Sequence, residues 1–264
     1  MITGTMILRN AVKLDYPFEV AIRSLQRVAD RVLVSVDPTS EDDTMERVRA
    51  LGVEVFESVW DLENPQGRNK SGVYVGAATA RQTRILCSQV KEGWNLSLQA
   101  DEVLHEKDVD EIRQAVESER HTGYQLSRLY FFGRLTWMRD NWTVPILRLF
   151  RHDCWGPDPH SGAMTFVPVG SQSSTRLEAA IYHYSRVGDA GSISRRVRNL
   201  DGLYHVADEL VPVEEVPGYT FDLHMLDNAG LKNVSPVQDA RARLVPFSAD
   251  AHPEDAREHY KNYA

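Results

Sequence analysis

The stretch "VLVSVDPTSEDDTMERVRALGVEVFES", residues 32–58, decides the fold. "VLVSVD" is an apolar run of buried-strand length, and Pro38, Thr39 and Ser40 turn the chain at its end. "SEDDTMERVRALG" then reads as a helix: Ser40 is a capping residue, acids crowd the first turn and Gly52 closes it. "VEVFES" returns as a second strand. Strand, helix and strand in that order form a βαβ unit, which implies parallel strands in one sheet.

Working outward, the same alternation continues on both sides. "TMILRN" (5–10) is a short strand, and "YPFEVAIRSLQRVADR" (16–31) is a helix with Pro17 near its start and Phe18, Ile22, Leu25 and Ala29 at helical spacing. A polar loop, "NPQGRNKSG" (64–72), leads into a helix over about 73–90. In "WNLSLQADEVLHEKD" (94–108) apolar and polar residues alternate as in a half-buried strand. The chain then delivers Asp101 and Glu102, with His105, Glu106 and Asp108 behind them, and "DVDEIRQAVESE" is a further helix with Val109, Ile112 and Val116 on one face. Beyond Gly123, "YQLSRLYFFGRLTWM" and "TVPILRLFRH" are aromatic and β-branched, which predicts antiparallel or mixed strands. "AAIYHYSRVGD" adds a short strand and a loop. From Ile193 the chain is polar and helical to Leu210, then loop-rich with Pro212, Pro217, Pro236, Pro246 and Pro253. We therefore expect one domain over 1–190, with halves at 1–110 and 120–190, and an extension over 191–264 that packs on the core or forms a homo-oligomer contact.

The chain has 264 residues, 42% hydrophobic and 26% charged, the composition of a globular enzyme. A net charge of −8 supplies no global field for a polyanion, although a local basic groove stays open. With only Cys87 and Cys154 there is no disulfide framework. No run of eighteen apolar residues and no signal-peptide core is present, so the expectation is a soluble, cytoplasmic protein without a transmembrane segment.

In open sheets of this kind ligands sit beyond the carboxyl ends of the strands, where Asp37 and Asp101 both fall. A carboxylate there suits a hard divalent cation that takes its remaining oxygens from phosphate and water. The competing reading makes Glu106 and Asp108 a helix cap, Asp37 an Asx turn with Thr39, His183 a packed strand histidine and Arg81 a surface ion pair. Trp137, Trp142 and Trp155 are either core or a stacking surface for a sugar. His152, Asp153, Cys154, Asp158 and His160 lack zinc spacing.

Read together, "ILRN", "YPFEVAIRSL", "VLVSVDPTSEDDT", "GAATARQTRI" and "WNLSLQADEVLHE" resemble the nucleotide-binding half of a family 2-like glycosyltransferase of GT-A fold. "WTVPILRLFR", "IYHYSRVGD" and "VPFSADAHPED" resemble later blocks of that group more loosely. The resemblance implies a GT-A, Rossmann-like mixed and mainly parallel sheet flanked by helices, with a helical and loop-rich C-terminal extension. It also implies a nucleotide-sugar donor, Mn²⁺ or Mg²⁺, and inverting transfer to an acceptor hydroxyl. The acceptor class stays open among saccharide, lipid-linked glycan, small molecule and modified nucleic acid. Carried over, Asp37 would meet the nucleobase or ribose, Asn10 and its neighbours would line the nucleoside pocket, and Arg81 would face the nucleotide. Asp101 would be the metal-binding acid of a DxD-like motif, helped by Glu102 or His183. Two departures stand out: Gln99 replaces the first acid of DxD, and Gln82 replaces an asparagine. Glutamine can donate to a ribose hydroxyl but is a poor ligand for a hard cation. The general base is sought in "RHDCWGPDPHSGA", with Asp158 first and Asp153 second. The alternatives are a catalytically degenerate nucleotide- or carbohydrate-binding protein on the same fold, which Gln99 favours, and a sugar-phosphate nucleotidyltransferase, which the glycine-free "ILRNAVKLDYPF" disfavours.

Overall fold

The structure is a computed structural model, and it describes residues 1–63, 67–68, 74–139, 145–158, 165–204 and 244–263. Its first part runs β1 (Ile2–Leu8), α1 (Phe18–Val28), β2 (Arg31–Val36), α2 (Thr44–Ala50), β3 (Glu54–Glu57), a small ladder of β4 (Gly67–Arg68) and β5 (Tyr74–Val75), α3 (Ala77–Cys87), β6 (Trp94–Ser97), β7 (Glu102–Leu104) and α4 (Val109–Ser118). The second part runs β8 (Gly123–Arg139), β9 (Pro145–Arg151), β10 (Trp155–Pro157), β11 (Phe166–Pro168), β12 (Ser174–Val187), α5 (Ala190–Tyr204), β13 (Leu244–Pro246) and α6 (Glu254–His259).

The main sheet has the order β3-β2-β1-β6-β9-β8-β12-β7, with β13 added on β8. The pairs β3–β2, β2–β1, β1–β6 and β8–β12 are parallel. The pairs β6–β9, β9–β8, β12–β7 and β8–β13 are antiparallel. This is the mixed, Rossmann-like, helix-flanked sheet expected from the βαβ reading. Its all-parallel part is the stretch that opened the sequence argument, and β1, β2 and β6 all end on the same side.

Helix α1 shows why the helices settle on the sheet. Phe18, Ile22, Leu25 and Val28 recur at helical spacing and are all buried. Each such side chain contributes roughly 1.5–3 kcal/mol when removed from water. Gly4 on β1 permits the close approach, because a Cβ there would stand 3.2 Å from Leu25 and 3.3 Å from Ala29. Helix α2 departs from expectation at its start. Asp43 precedes it, while the Ser40 hydroxyl accepts a bond from the Asn10 N–H instead of capping.

The strand expected over "AAIYHYSRVGD" is the end of a longer one, β12, which pairs with β8 through two register irregularities. Helix α5 ends at Tyr204, and the remainder of the expected helix to Leu210 lies outside the described residues. Beyond them the chain returns to the sheet. β13 pairs with residues 137–139 of β8, and Ala256 and Tyr260 join the main core with Phe131, Tyr182 and Tyr184. Among the described residues no helix is long and apolar enough to cross a membrane.

Candidate active site

Four residues past the end of β6, Asp101 stands where the chain passes over to β7. Its side chain is 9% exposed, and its Oδ1 lies 3.5 Å from Nε2 of His183. The backbone fixes this meeting. Tyr184 N–H donates to the Asp101 carbonyl at 2.9 Å, and His183 on β12 pairs with Glu102 on β7 and with Tyr130 on β8. Burial alone would raise the Asp101 pKa, but the His183 imidazole and the Arg196 guanidinium outweigh it and hold the carboxyl below its ordinary value. His183 meets the Tyr130 ring edge-on at 4.5 Å between centroids, and its Nδ1 is 3.3 Å from the Ser185 hydroxyl.

Glu102, one residue on, is differently employed. Its carboxylate is fully buried and accepts from Arg148 Nε at 3.0 Å, Arg148 Nη2 at 2.9 Å and the Gln99 N–H at 3.0 Å. Arg128 Nη1 stands 3.5 Å from the same group. Burial pushes the Glu102 pKa up, and Arg148, His183 and Arg128 together push it further down. Both its oxygens belong to a buried ion pair that ties β7 to β9, which sets it apart from Asp101 as a metal candidate.

Asp37 ends β2 as expected, and it too is saturated. Its carboxylate has no solvent exposure and receives Arg9 Nε at 3.1 Å, the Thr39 N–H at 2.9 Å, the Thr39 hydroxyl at 2.8 Å and the Trp60 N–H at 3.3 Å. The competing Asx-turn reading describes this geometry, so Asp37 shapes the loop and offers no spare lone pair for a base or ribose. Asn10 works in the same loop system. At φ +50° it donates its N–H to Ser40, and its Oδ1 accepts from the Glu41 N–H at 2.7 Å. Arg81 is partly exposed and pairs with the Asp61 carboxylate and carbonyl, each at 3.1 Å. Gln82 is buried and donates to the Val59 carbonyl at 2.8 Å, leaving its Oε1 without a partner.

The base candidates separate. β9 runs antiparallel to β6, with Arg151 opposite Trp94, so Asp153 emerges beside the start of β6 and Asp101 beyond its end. Asp153 is exposed and paired with Arg151 at 3.2 Å, on the opposite side of the sheet from Asp101. Asp158 lies just past β10, where its N–H donates to the Thr165 carbonyl at 2.7 Å. Trp155 packs with Phe150 and Phe166 and donates to Thr122, so it belongs to the core and not to a sugar surface. Trp142 and His160 lie outside the described residues.

Among the described residues no group of three or more His, Cys, Asp or Glu side chains is gathered closely enough to hold a metal unaided. The pair that remains, an ionised Asp101 and an imidazole, fits a cation of the Mn²⁺ or Mg²⁺ kind that draws most of its ligands from phosphate and water. Arg128 was missed at the sequence level. Its signal was a charge inside the otherwise apolar run "LSRLYFF".

No family model matches the chain. No curated protein matches it either. Solved structures do show similarity. The S. aureus TarS fragment 1–349 is 11% identical, with 76% of this chain and 64% of that chain covered at a TM-score of 0.47. In the complex of that fragment with UDP, 15% identical, the match covers 50% of this chain and 37% of that one at a TM-score of 0.37. The chain thus spans less than two thirds of TarS. Glucosyl-3-phosphoglycerate synthase from Mycobacterium tuberculosis, in complex with Mn²⁺, UDP and glucosyl-3-phosphoglycerate, is 12% identical, with 94% and 87% of the two chains covered at a TM-score of 0.40. A putative glucose-1-phosphate thymidylyltransferase from Bacillus anthracis is 10% identical, with 100% and 95% covered at a TM-score of 0.37.

Proposed function

We propose that this protein is a glycosyltransferase that moves a sugar from a nucleoside diphosphate donor to an acceptor hydroxyl, with inversion and with Mn²⁺ or Mg²⁺ bound through Asp101 and His183. The observation that carries the reading is Asp101 itself. It is an ionised, nearly buried carboxylate at the carboxyl end of a parallel strand, and among the described residues the side chain that pairs with it is the His183 imidazole at 3.5 Å. His183 and Arg196 keep the carboxylate ionised, and an ionised carboxylate with lone pairs to spare suits a hard cation that takes its other oxygens from phosphate and water. A bound divalent cation would supply positive charge to the leaving diphosphate. The acceptor hydroxyl attacks the anomeric carbon as the bond to the β-phosphate oxygen breaks, and a general base takes its proton. Asp158 is our candidate for that base. The acceptor's class is left open by this reading.

Gln99 favours a second reading, a nucleotide- or carbohydrate-binding protein that no longer turns over, because it removes one acid from the metal motif. The test is release of free diphosphonucleoside from UDP-, GDP-, CDP- and dTDP-sugars in the presence of Mn²⁺. Release from one donor that falls at least a hundredfold in Asp101→Asn supports the transferase. Binding of a donor without any release favours the second reading, and neither binding nor release overturns both.

A further inference from the structure

Near Asp101 and Glu102 lie three guanidiniums, and they are not equivalent. Arg148 is spent on its two bonds to Glu102. Arg196 is buried on α5 and donates to the carbonyls of Tyr184, Val187 and Ser192 at 3.1, 2.8 and 3.3 Å. Arg128 shares Glu102 with Arg148 and is held more loosely. Its Nη1 is 3.5 Å from Glu102 Oε1, an oxygen already bonded to Arg148, and its Nε is buried with no hydrogen-bond partner. The guanidinium lies over the Tyr130 ring at 4.4 Å, and that ring in turn meets His183. A fifth of the Arg128 side chain, 21%, still reaches solvent.

This arrangement has an electrostatic consequence. Among the described residues, the carboxylates of Asp101 and Glu102 face the guanidiniums of Arg128, Arg148 and Arg196. Burial and the neighbouring Arg148 pull the Arg128 pKa down, with Glu102 and Asp101 acting against them. Stacking on Tyr130 holds the planar fork in one orientation, and a preorganised fork suits phosphate oxygens better than a point charge would. Asp101, His183, Tyr130 and Arg128 form one continuous row, with the cation site at one end and this fork at the other.

We propose that Arg128, stacked on Tyr130, binds the diphosphate oxygens of the donor, supplying the charge that Gln99 and the engaged Glu102 leave the metal site unable to organise alone. The inference rests on the donor-site reading above and assigns that site a second anion-binding element. Because the nucleobase is not fixed, the probes are inorganic pyrophosphate with Mn²⁺, the nucleoside diphosphate that binds best, and the matching nucleoside, all by titration calorimetry. Arg128→Gln weakens pyrophosphate and nucleoside diphosphate binding at least tenfold and leaves nucleoside binding unchanged. Arg128→Lys, which keeps the charge and loses the fork, falls between Arg128→Gln and the wild type. If Arg128→Gln does not fold, Arg128→Lys decides by the same split between phosphate-bearing and phosphate-free ligands. Variants that bind pyrophosphate and diphosphate as the wild type does overturn the role of Arg128 while the donor site stands. A wild type that binds none of the phosphate-bearing probes overturns the donor-site reading and this inference with it.

Discussion

Asp37 and Asp101 occupy equivalent places, each at the carboxyl end of a parallel strand, and their surroundings differ completely. Asp37 accepts four hydrogen bonds, two on each oxygen, from Arg9, Thr39 and Trp60. Asp101 meets His183 at 3.5 Å and, among the described residues, no other side chain at bonding distance. Bonds to a charged group stabilise by about 1.5–3 kcal/mol each, so the first acid is a strut of the fold. The second is held ionised with lone pairs left over. Position on the sheet therefore selects both residues, and only the state of their lone pairs tells support from site.

The largest expected effect sharpens this distinction at Glu102, the strut beside the site. Arg148→Met removes the guanidinium that answers a fully buried carboxylate and is expected to cost about 3–5 kcal/mol in urea unfolding. Adding Glu102→Leu to that variant is expected to recover much of the loss. A small effect from Arg148→Met alone would place Glu102 back among the available ligands.

A second contrast lies between His183 and His252, the two buried histidines among the described residues. His252 has both nitrogens engaged, Nδ1 with the Tyr184 hydroxyl at 2.9 Å and Nε2 with the Leu135 carbonyl at 2.8 Å, whereas His183 has Asp101 and Ser185 at longer range. Burial lowers the His252 pKa to about 4, with the Leu135 carbonyl opposing. The unfolded chain then binds more protons than the folded one between about pH 6.5 and that value. Stability is complete above about pH 6.5 and declines as pH falls toward 4, by no more than about 3 kcal/mol from this group. Unfolding curves across that window are expected to flatten in His252→Gln. An unchanged slope would show that His252 is not the group responsible.

The smallest effect is expected at Asp153, exposed at the far end of the sheet. Asp153→Asn should change stability by less than about 0.5 kcal/mol and leave donor turnover untouched. A large loss of turnover would contradict the placement of the site at the carboxyl ends.

The sequence made the βαβ half legible because its periodicity is local: α1, α2, α4 and the strands between them follow from spacing and turn chemistry within a few residues. The same locality explains the Thr39 half of the Asp37 cage, since Thr39 is two residues away. What spacing could not reveal is which distant groups claim each acid. Arg9 and Trp60 reach Asp37 from 28 and 23 residues away, and Arg148 reaches Glu102 across 46. The direction of β9 against β6, which sets Asp153 and Asp101 at opposite ends of β6, is equally non-local. His183 and Asp101 were both legible as types and positions, and their meeting depends on the β7–β12 register.

The most direct test sets the two acids against each other. Thermal unfolding of wild type, Asp37→Asn and Asp101→Asn would be followed with UDP, GDP, CDP and dTDP, each with and without Mn²⁺. A ligand at about a hundred times its dissociation constant adds roughly 2.7 kcal/mol. The account predicts that Asp37→Asn lowers the ligand-free midpoint yet keeps the Mn²⁺-dependent increment, while Asp101→Asn loses the increment. An Asp101→Asn protein that still gains stability from nucleotide and Mn²⁺ would contradict it.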